Sequence, residues 1–317
     1  MSPRRRLIRH IARALLPIVL IIGLVFVGVT VWIVYGITRP PRAPYLVTPQ
    51  TFETVTGPIL NASDATWNNH DGTTARGWLI RGAEGSPAVI LLHSYGADRS
   101  WLLNLAVKLN ESTAFTVLWP DLRGHGVNPP VNWTLFGGID GDDVTAAIEY
   151  LKTLKTPTGK PQVSGTIGIY GAELGAYAAI DAAKRNSAIR ALALDSAPAS
   201  PDDLIRAATV THFSLNNSLF EKLGLWGIRI YSAGKYVNTG SCEVARSLRD
   251  KRVLLLTGEG GERWRASTTM LKNCFSGGTV ELKQDSPVTG LNLPSVTGQT
   301  EEAYDRPVIE FFDKALR

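Results

Sequence analysis

Thr166-Ile167-Gly168-Ile169-Tyr170-Gly171-Ala172-Glu173-Leu174-Gly175-Ala176-Tyr177-Ala178-Ala179 decides how the chain is read. Its first residues form an apolar run of the kind that makes a strand buried on both faces. From Leu174 onward the segment is rich in Ala and reads as a helix. Only a sharp turn fits between the two, and glycines flank it at 171 and 175. Glycine tolerates a strained turn and lets a helix pack tightly against its strand. The residue at the apex is Glu173.

The same alternation extends in both directions. Ala88 to Leu92, Phe115 to Trp119, Ile189 to Leu194 and Arg252 to Thr257 read as further buried strands, and Thr279 to Lys283 as a last short one. Trp101 to Leu109, Asp142 to Leu154 and Glu301 to Leu316 read as helices. Phe52 to Trp67 and Thr73 to Arg81 read as a leading pair of strands, with His70 solvated in the turn between them. Strands alternating with helices imply an α/β fold. Its central sheet is mostly parallel, covered by helices on both faces, with ligand chemistry at the strand C-terminal ends. Residues 198–247 break the rhythm and carry Phe213, Phe220, Trp226, Tyr231 and Tyr236 on helix-like patterns. They read as a helical lid insertion over that edge.

The N-terminus has a different character. Arg4, Arg5, Arg6, Arg9 and Arg13 precede residue 14 with no acid among them, and the net charge of the chain is +5. The excess is thus concentrated in a basic tail, 1–13. The remainder is near neutral without a basic aromatic stripe, which argues against a nucleic-acid partner. Ala14 to Thr38 has no charged residue and is long enough, at about 1.5 Å per residue, to cross a bilayer core of roughly 30 Å. It exceeds the apolar region of a cleaved signal peptide, and Val34-Tyr35-Gly36 is a poor cleavage site. The arginine bias predicts a single-pass signal anchor with a cytoplasmic N-terminus and an extracytoplasmic main domain, the bilayer being the first partner. Residues 39–50, with Pro40, Pro41 and Pro44, read as a stiff linker, and 51–317 as the main domain. Cys242 and Cys274 would then face an oxidising space, where either a disulfide or two buried thiols is permitted. Neither has a metal-binding partner at a suitable spacing, so no metal and no cofactor are expected.

Several motifs, each following an expected strand, together resemble the α/β-hydrolase superfamily. The likeness is closest to membrane-anchored hydrolases of the dienelactone-hydrolase and serine-aminopeptidase type. His93-Ser94-Tyr95-Gly96 is similar to the oxyanion loop of that family. Asp121-Leu122-Arg123-Gly124-His125-Gly126 resembles its Asp-x-Arg-Gly-His-Gly turn, and Gly171-Ala172-Glu173-Leu174-Gly175 its Gly-x-Ser-x-Gly elbow. The resemblance implies a nucleophile at the elbow, an acid after the strand ending at Thr257, and a histidine before the closing helix. Here the elbow residue is Glu173, the expected acid position is Gly261, flanked by Glu259 and Glu262, and no histidine lies between Gln284 and Glu301. The last histidine is His212, in the lid.

The resemblance therefore implies a degenerate site. Its backbone donors would be the N–H groups of Tyr95 and Leu174, which survive any side-chain change. Glu173 fills the nucleophile position, with His93 and Glu259 as candidate catalytic partners. Ser94 and Ser196 read as structural, and His93 and His125 as residues that brace loops unless His93 pairs with Glu173. The helix N-terminus favours an ionised Glu173, and burial opposes it. The expected function is a weakly active or non-catalytic hydrolase homologue that binds a small molecule or an envelope protein. The alternative is an active hydrolase of small esters or amides with a non-standard residue set.

Overall fold

The computed structural model describes residues 3–56, 61–214 and 216–317. Helix α1 (Pro3–Thr38) is followed by an extended stretch and by α2 (Pro49–Thr56). Strands β1 (Ala62–Asn68) and β2 (Thr74–Ile80) form an antiparallel pair. Then come β3 (Ser86–Leu92), a 3-10 turn at Arg99–Leu102, α3 (Leu103–Thr113), β4 (Thr116–Pro120) and α4 (Asp140–Thr153). Strand β5 (Val163–Ala172) leads into α5 (Leu174–Arg185) and β6 (Ile189–Asp195). The insertion supplies α6 (Pro201–Phe213), α7 (Ser218–Tyr231) and α8 (Ser241–Ser247). The chain closes with β7 (Arg252–Gly258), α9 (Glu262–Leu271), β8 (Thr279–Ser286) and α10 (Gln299–Leu316).

The eight strands form one sheet in the order β1-β2-β4-β3-β5-β6-β7-β8. Pairing is antiparallel for β1–β2 and β2–β4, and parallel from β4 to β8. Side chains of a strand alternate between faces, and two cores result. Ile90, Leu92, Ile169, Leu192 and Leu255 face a core shared with α4, α5 and α8. Val89, Leu91, Tyr170, Ala193 and Leu254 face one shared with α3 and α10. This two-sided burial explains the unbroken apolar runs in the sequence. It also places every strand-to-helix turn of the parallel part at one edge.

The ends depart from the sequence reading. Pro49–Thr56 is helical, so the expected strand from Phe52 begins only at Ala62; residues 57–60 lie outside the described residues. The Thr48 hydroxyl accepts the Thr51 N–H at 3.2 Å, and Pro49 occupies the first turn, a pairing that starts a helix. The basic segment expected as a separate tail is continuous with α1, which begins at Pro3.

The stretch His10–Thr38 is long and apolar enough to span a membrane. Its first part is exposed on all sides, but its last two turns are not. Ile33 and Ile37 are fully buried against α6 and α7, and the Trp32 ring packs on Phe213. The carbonyls at a helix C-terminus have no partner within the helix. Here the main domain supplies donors: Tyr95 Oη donates to Ile37 O at 2.8 Å, and Thr134 N to Thr38 O at 2.9 Å. Cys242, in α8, and Cys274, just after α9, are joined by a disulfide, which resolves the alternative left open by the sequence.

Candidate functional site

The turn between β5 and α5 is as tight as the glycine pair implies. A Cβ at Gly171 would lie 2.3 Å from the Gly175 carbonyl oxygen, and one at Gly175 would lie 2.4 Å from that of Leu92. Any side chain at either position would force the helix off the sheet. Glu173 at the apex has φ 49° and ψ −104°, a region that non-glycine residues enter at a cost of about 1–3 kcal/mol. The neighbours hold it there: its N–H donates to Asp195 O at 3.0 Å, and its carbonyl accepts from Tyr177 N at 3.1 Å.

The Glu173 carboxylate bends back toward the loop after β3. Its Oε2 accepts the Tyr95 N–H at 2.9 Å. A backbone donor suited to an oxyanion is therefore occupied by the protein's own side chain. Glu173 lies deep in the molecule while keeping part of its surface accessible. Burial raises its pKa to about 7, against the opposing pull of the Tyr95 N–H, Arg263 and the Leu174 N–H. Desolvation thus outweighs the helix terminus, the balance that sequence alone left undecided.

The histidines are committed elsewhere. His93 is buried, with Nδ1 on Ser94 O at 2.8 Å and Nε2 accepting Leu122 N at 2.9 Å. That arrangement puts the proton on Nδ1 and leaves neither nitrogen for Glu173, so the expected His93–Glu173 couple does not form. Burial lowers the His93 pKa to about 4 and keeps the ring neutral. His125 Nδ1 is 3.0 Å from Arg123 O, and its ring stands edge-on to those of His93 and Tyr95. Both histidines brace the two loops. His212 packs against Phe213 beside Gly36 of α1. His70 is an exposed turn residue, as its sequence reading has it, and in addition bridges to α4, with Nδ1 3.0 Å from Asp142 and Nε2 2.9 Å from Glu149. Those carboxylates raise its pKa to about 9.

The candidate acid fares no better. Glu259 is exposed on the turn after β7 and makes no hydrogen bond or ion pair with Glu173 among the described residues; its backbone is what is used, the N–H donating to Ser286 O at 3.2 Å and the carbonyl accepting from Thr289 Oγ1 at 3.3 Å and Asn292 Nδ2 at 3.4 Å. Glu262 Oε1 accepts Gly260 N at 3.0 Å within its own turn. A Cβ on Gly261 would lie 2.9 Å from Thr289 Cγ2. Gly261 and Thr289 therefore adjoin each other, with no room for a side chain at Gly261.

A buried acid that the sequence reading passed over lies next door. Asp195, at the end of β6, is fully buried and accepts from Ser196 Oγ at 2.8 Å, Gly290 N at 2.6 Å and the Tyr304 hydroxyl. Tyr304 in turn shares a hydrogen bond with Tyr170. Burial raises the Asp195 pKa to about 6. This cluster pins the loop after β8 onto the sheet. A Cβ at Gly290 would sit 2.3 Å from the Tyr170 hydroxyl, so the pinned loop has no room for a side chain there. The only sequence signal for this network was the strand-ending Asp195-Ser196 pair. Among the described residues, no group of three or more His, Cys, Asp or Glu is arranged to hold a metal ion.

A model of the alpha/beta hydrolase fold matches residues 87–225, from β3 through the elbow and into α7. The chain has the α/β-hydrolase fold. Solved structures agree over most of the molecule. An esterase of Pyrococcus furiosus is 20% identical, with a TM-score of 0.62 over 88% of this chain and 98% of its own. The dienelactone hydrolase of Anabaena variabilis is 14% identical, with a TM-score of 0.56 over 81% of this chain and 99% of its own. The acylaminoacyl peptidase of Pyrococcus horikoshii is 14% identical, with a TM-score of 0.56 over 86% of this chain but 44% of its own. A search of curated proteins finds no match. At these identities the likeness concerns the fold, and the site must be judged on its own residues.

Proposed function

We propose that this is a membrane-anchored α/β-hydrolase-fold protein, with α1 as a single-pass anchor and an extracytoplasmic main domain. Its former catalytic centre serves binding rather than acyl transfer. One observation carries the reading: the Glu173 carboxylate accepts the Tyr95 N–H that would otherwise stabilise an oxyanion. A self-filled donor cannot also receive a developing charge on an acyl substrate. The supporting facts are the commitment of His93 to backbone groups and the absence of any histidine between Gln284 and Glu301. What remains, on this reading, is a braced platform at the strand C-terminal edge, suited to holding a small molecule or an envelope protein.

The second reading rests on Glu173 itself. A carboxyl group raised to about 7 at an elbow has the proton affinity of a general acid or base near neutral pH. A single experiment separates the two. The full-length protein in detergent is offered a fluorophosphonate probe and p-nitrophenyl acetate. Neither covalent labelling nor turnover above the detergent blank is expected. Turnover that Glu173→Gln abolishes would make Glu173 a working catalytic carboxylate.

A further inference from the structure

Outside α1, the described residues hold seven large exposed apolar side chains, and four of them belong to α7: Leu219, Trp226, Ile230 and Tyr231. Each is about half exposed or more. Leu219, Trp226 and Ile230 follow one another at helical spacing, so they form a stripe. Lys222 lies in the same stripe, and a lysine stem can lie along apolar surface with its ammonium turned to water. Arg229 beside it is neutralised by Asp202 at 2.8 Å. The opposite face of α7, with Leu223, Gly224, Gly227 and Ile228, is buried. This helix is satisfied on its protein side and leaves an apolar face about half open to solvent among the described residues.

That face is continuous with the exposed surface of α1. The Trp226 ring lies 6.4 Å from that of Phe26. A groove of about 460 Å³ runs between the two helices, with Val27, Val31 and Val34 on one wall and Trp226, Ile230 and Tyr231 on the other. Arg39 lines its far end, with its guanidinium 3.8 Å above the Tyr35 ring. From Val27 to Arg39 the path is about 18 Å at the α-helical rise. The floor is apolar and the cation stands at the end that leaves α1.

We propose that α7 is seated in the same lipid leaflet as the C-terminal part of α1, with a phospholipid acyl chain in the groove and its phosphate beside Arg39. The proposal rests on the anchor reading. The amphipathic pattern, with Leu, Ile and Trp on one face and Lys and Arg at its margin, is that of a helix lying in the membrane interface. The insertion that carries α7 is then held by lipid as well as by protein. Its outer surface then faces the leaflet.

The test uses the full chain in phosphatidylcholine–phosphatidylglycerol vesicles. The native cysteines are paired, so thiol reagents reach only an introduced cysteine. An NBD fluorophore is placed at Leu20→Cys, Trp226→Cys, Ile230→Cys and, at the far end of β5, Ser164→Cys. Vesicles with and without doxyl-labelled acyl chains are compared. Quenching at 226 and 230 within about twofold of that at 20, with none at 164, is the expected result for an interfacial helix. Quenching at 20 but not at 226 or 230 overturns the docking and leaves the anchor standing. Quenching at 226 and 230 without quenching at 20 refutes the anchor and keeps the docking; no quenching at any position refutes both. Brominated acyl chains give a readout that needs no label: they should quench less of the total tryptophan emission in Trp226→Phe than in the wild type, and equal quenching counts against the proposal.

Discussion

The protonation of Glu173 makes a prediction whose size follows from its surroundings. Its pKa rises from 4.5 in the unfolded chain to about 7 in the fold. That difference corresponds to about 3 kcal/mol, at roughly 1.4 kcal/mol for each tenfold change in proton affinity. The raised value means the folded state holds the proton more tightly than the unfolded state does. Below pH 4.5 both states are protonated, and the group contributes no pH dependence. From pH 4.5 to 7 the unfolded chain releases its proton first, so stability falls as pH rises. Above pH 7 both are ionised and the full cost of the buried carboxylate is present. Asp143, Asp195 and Asp305 are also raised to about 6, so the wild-type profile alone is ambiguous. Glu173→Gln removes one proton site and keeps an acceptor for the Tyr95 N–H. The difference between the two proteins isolates Glu173. Thermal unfolding of both in detergent should show little difference in slope below pH 4.5. Above pH 7 the variant should be ahead by up to roughly 6–12 °C, taking about 2–4 °C per kcal/mol for a domain of this size. A pH-independent difference would refute the reasoning. So would a wild type that gains on the variant as pH rises, since that requires the N–H donors and helix terminus to outweigh burial.

Glu173→Ser should show no appreciable p-nitrophenyl acetate turnover, because no free imidazole is placed to take the serine proton; robust turnover would expose an unseen base. His70 should titrate near 9 by NMR, and its charge-dependent stabilisation should be complete below pH 6.5 and lost as pH rises through 9. The melting-temperature gap between wild type and His70→Ala should close over that range, and a gap constant from pH 6 to 10 would count against the ion pairs. Breaking the Cys242–Cys274 bond with Cys274→Ser opens a loop of 32 residues and should cost about 4 kcal/mol on the chain-entropy model. An unchanged denaturation midpoint would show the bond to be mechanically idle.

The central sheet was legible because two-sided burial leaves apolar runs, and the elbow because its glycines have no substitute. The helix at Pro49–Thr56 was misread because Phe52, Thr54, Val55 and Thr56 favour strands, while the overriding signal lay upstream in Thr48-Pro49. The meeting of Glu173 with the Tyr95 N–H could be read from the elbow and the loop after β3. The fate of His93 could not, since it depends on the Leu122 N–H arriving from another turn. Asp195, Tyr304 and Tyr170 come from three elements, and the Asp195–Tyr304 pair spans 109 residues, so no local pattern announces them. The burial of one side of α1 was likewise hidden, because an apolar helix looks the same to lipid and to protein. Gly36, Gly224 and Gly227 at the crossing were the available hint.

The two hydrogen bonds that end α1, from the Tyr95 hydroxyl and the Thr134 N–H, have a mechanical consequence. A domain on a flexible stalk sweeps a volume and meets its ligands by tumbling. This one is bolted to its post: on the anchor reading proposed above, its height above the bilayer and its compass bearing would be set by α1. On that reading, tilt of the helix, for instance in a thinner membrane, would swing the whole domain as one lever and load the Tyr95 contact. The same residue presents its N–H to Glu173. On the anchor proposal, membrane thickness and the state of the elbow would thereby be connected through a single residue.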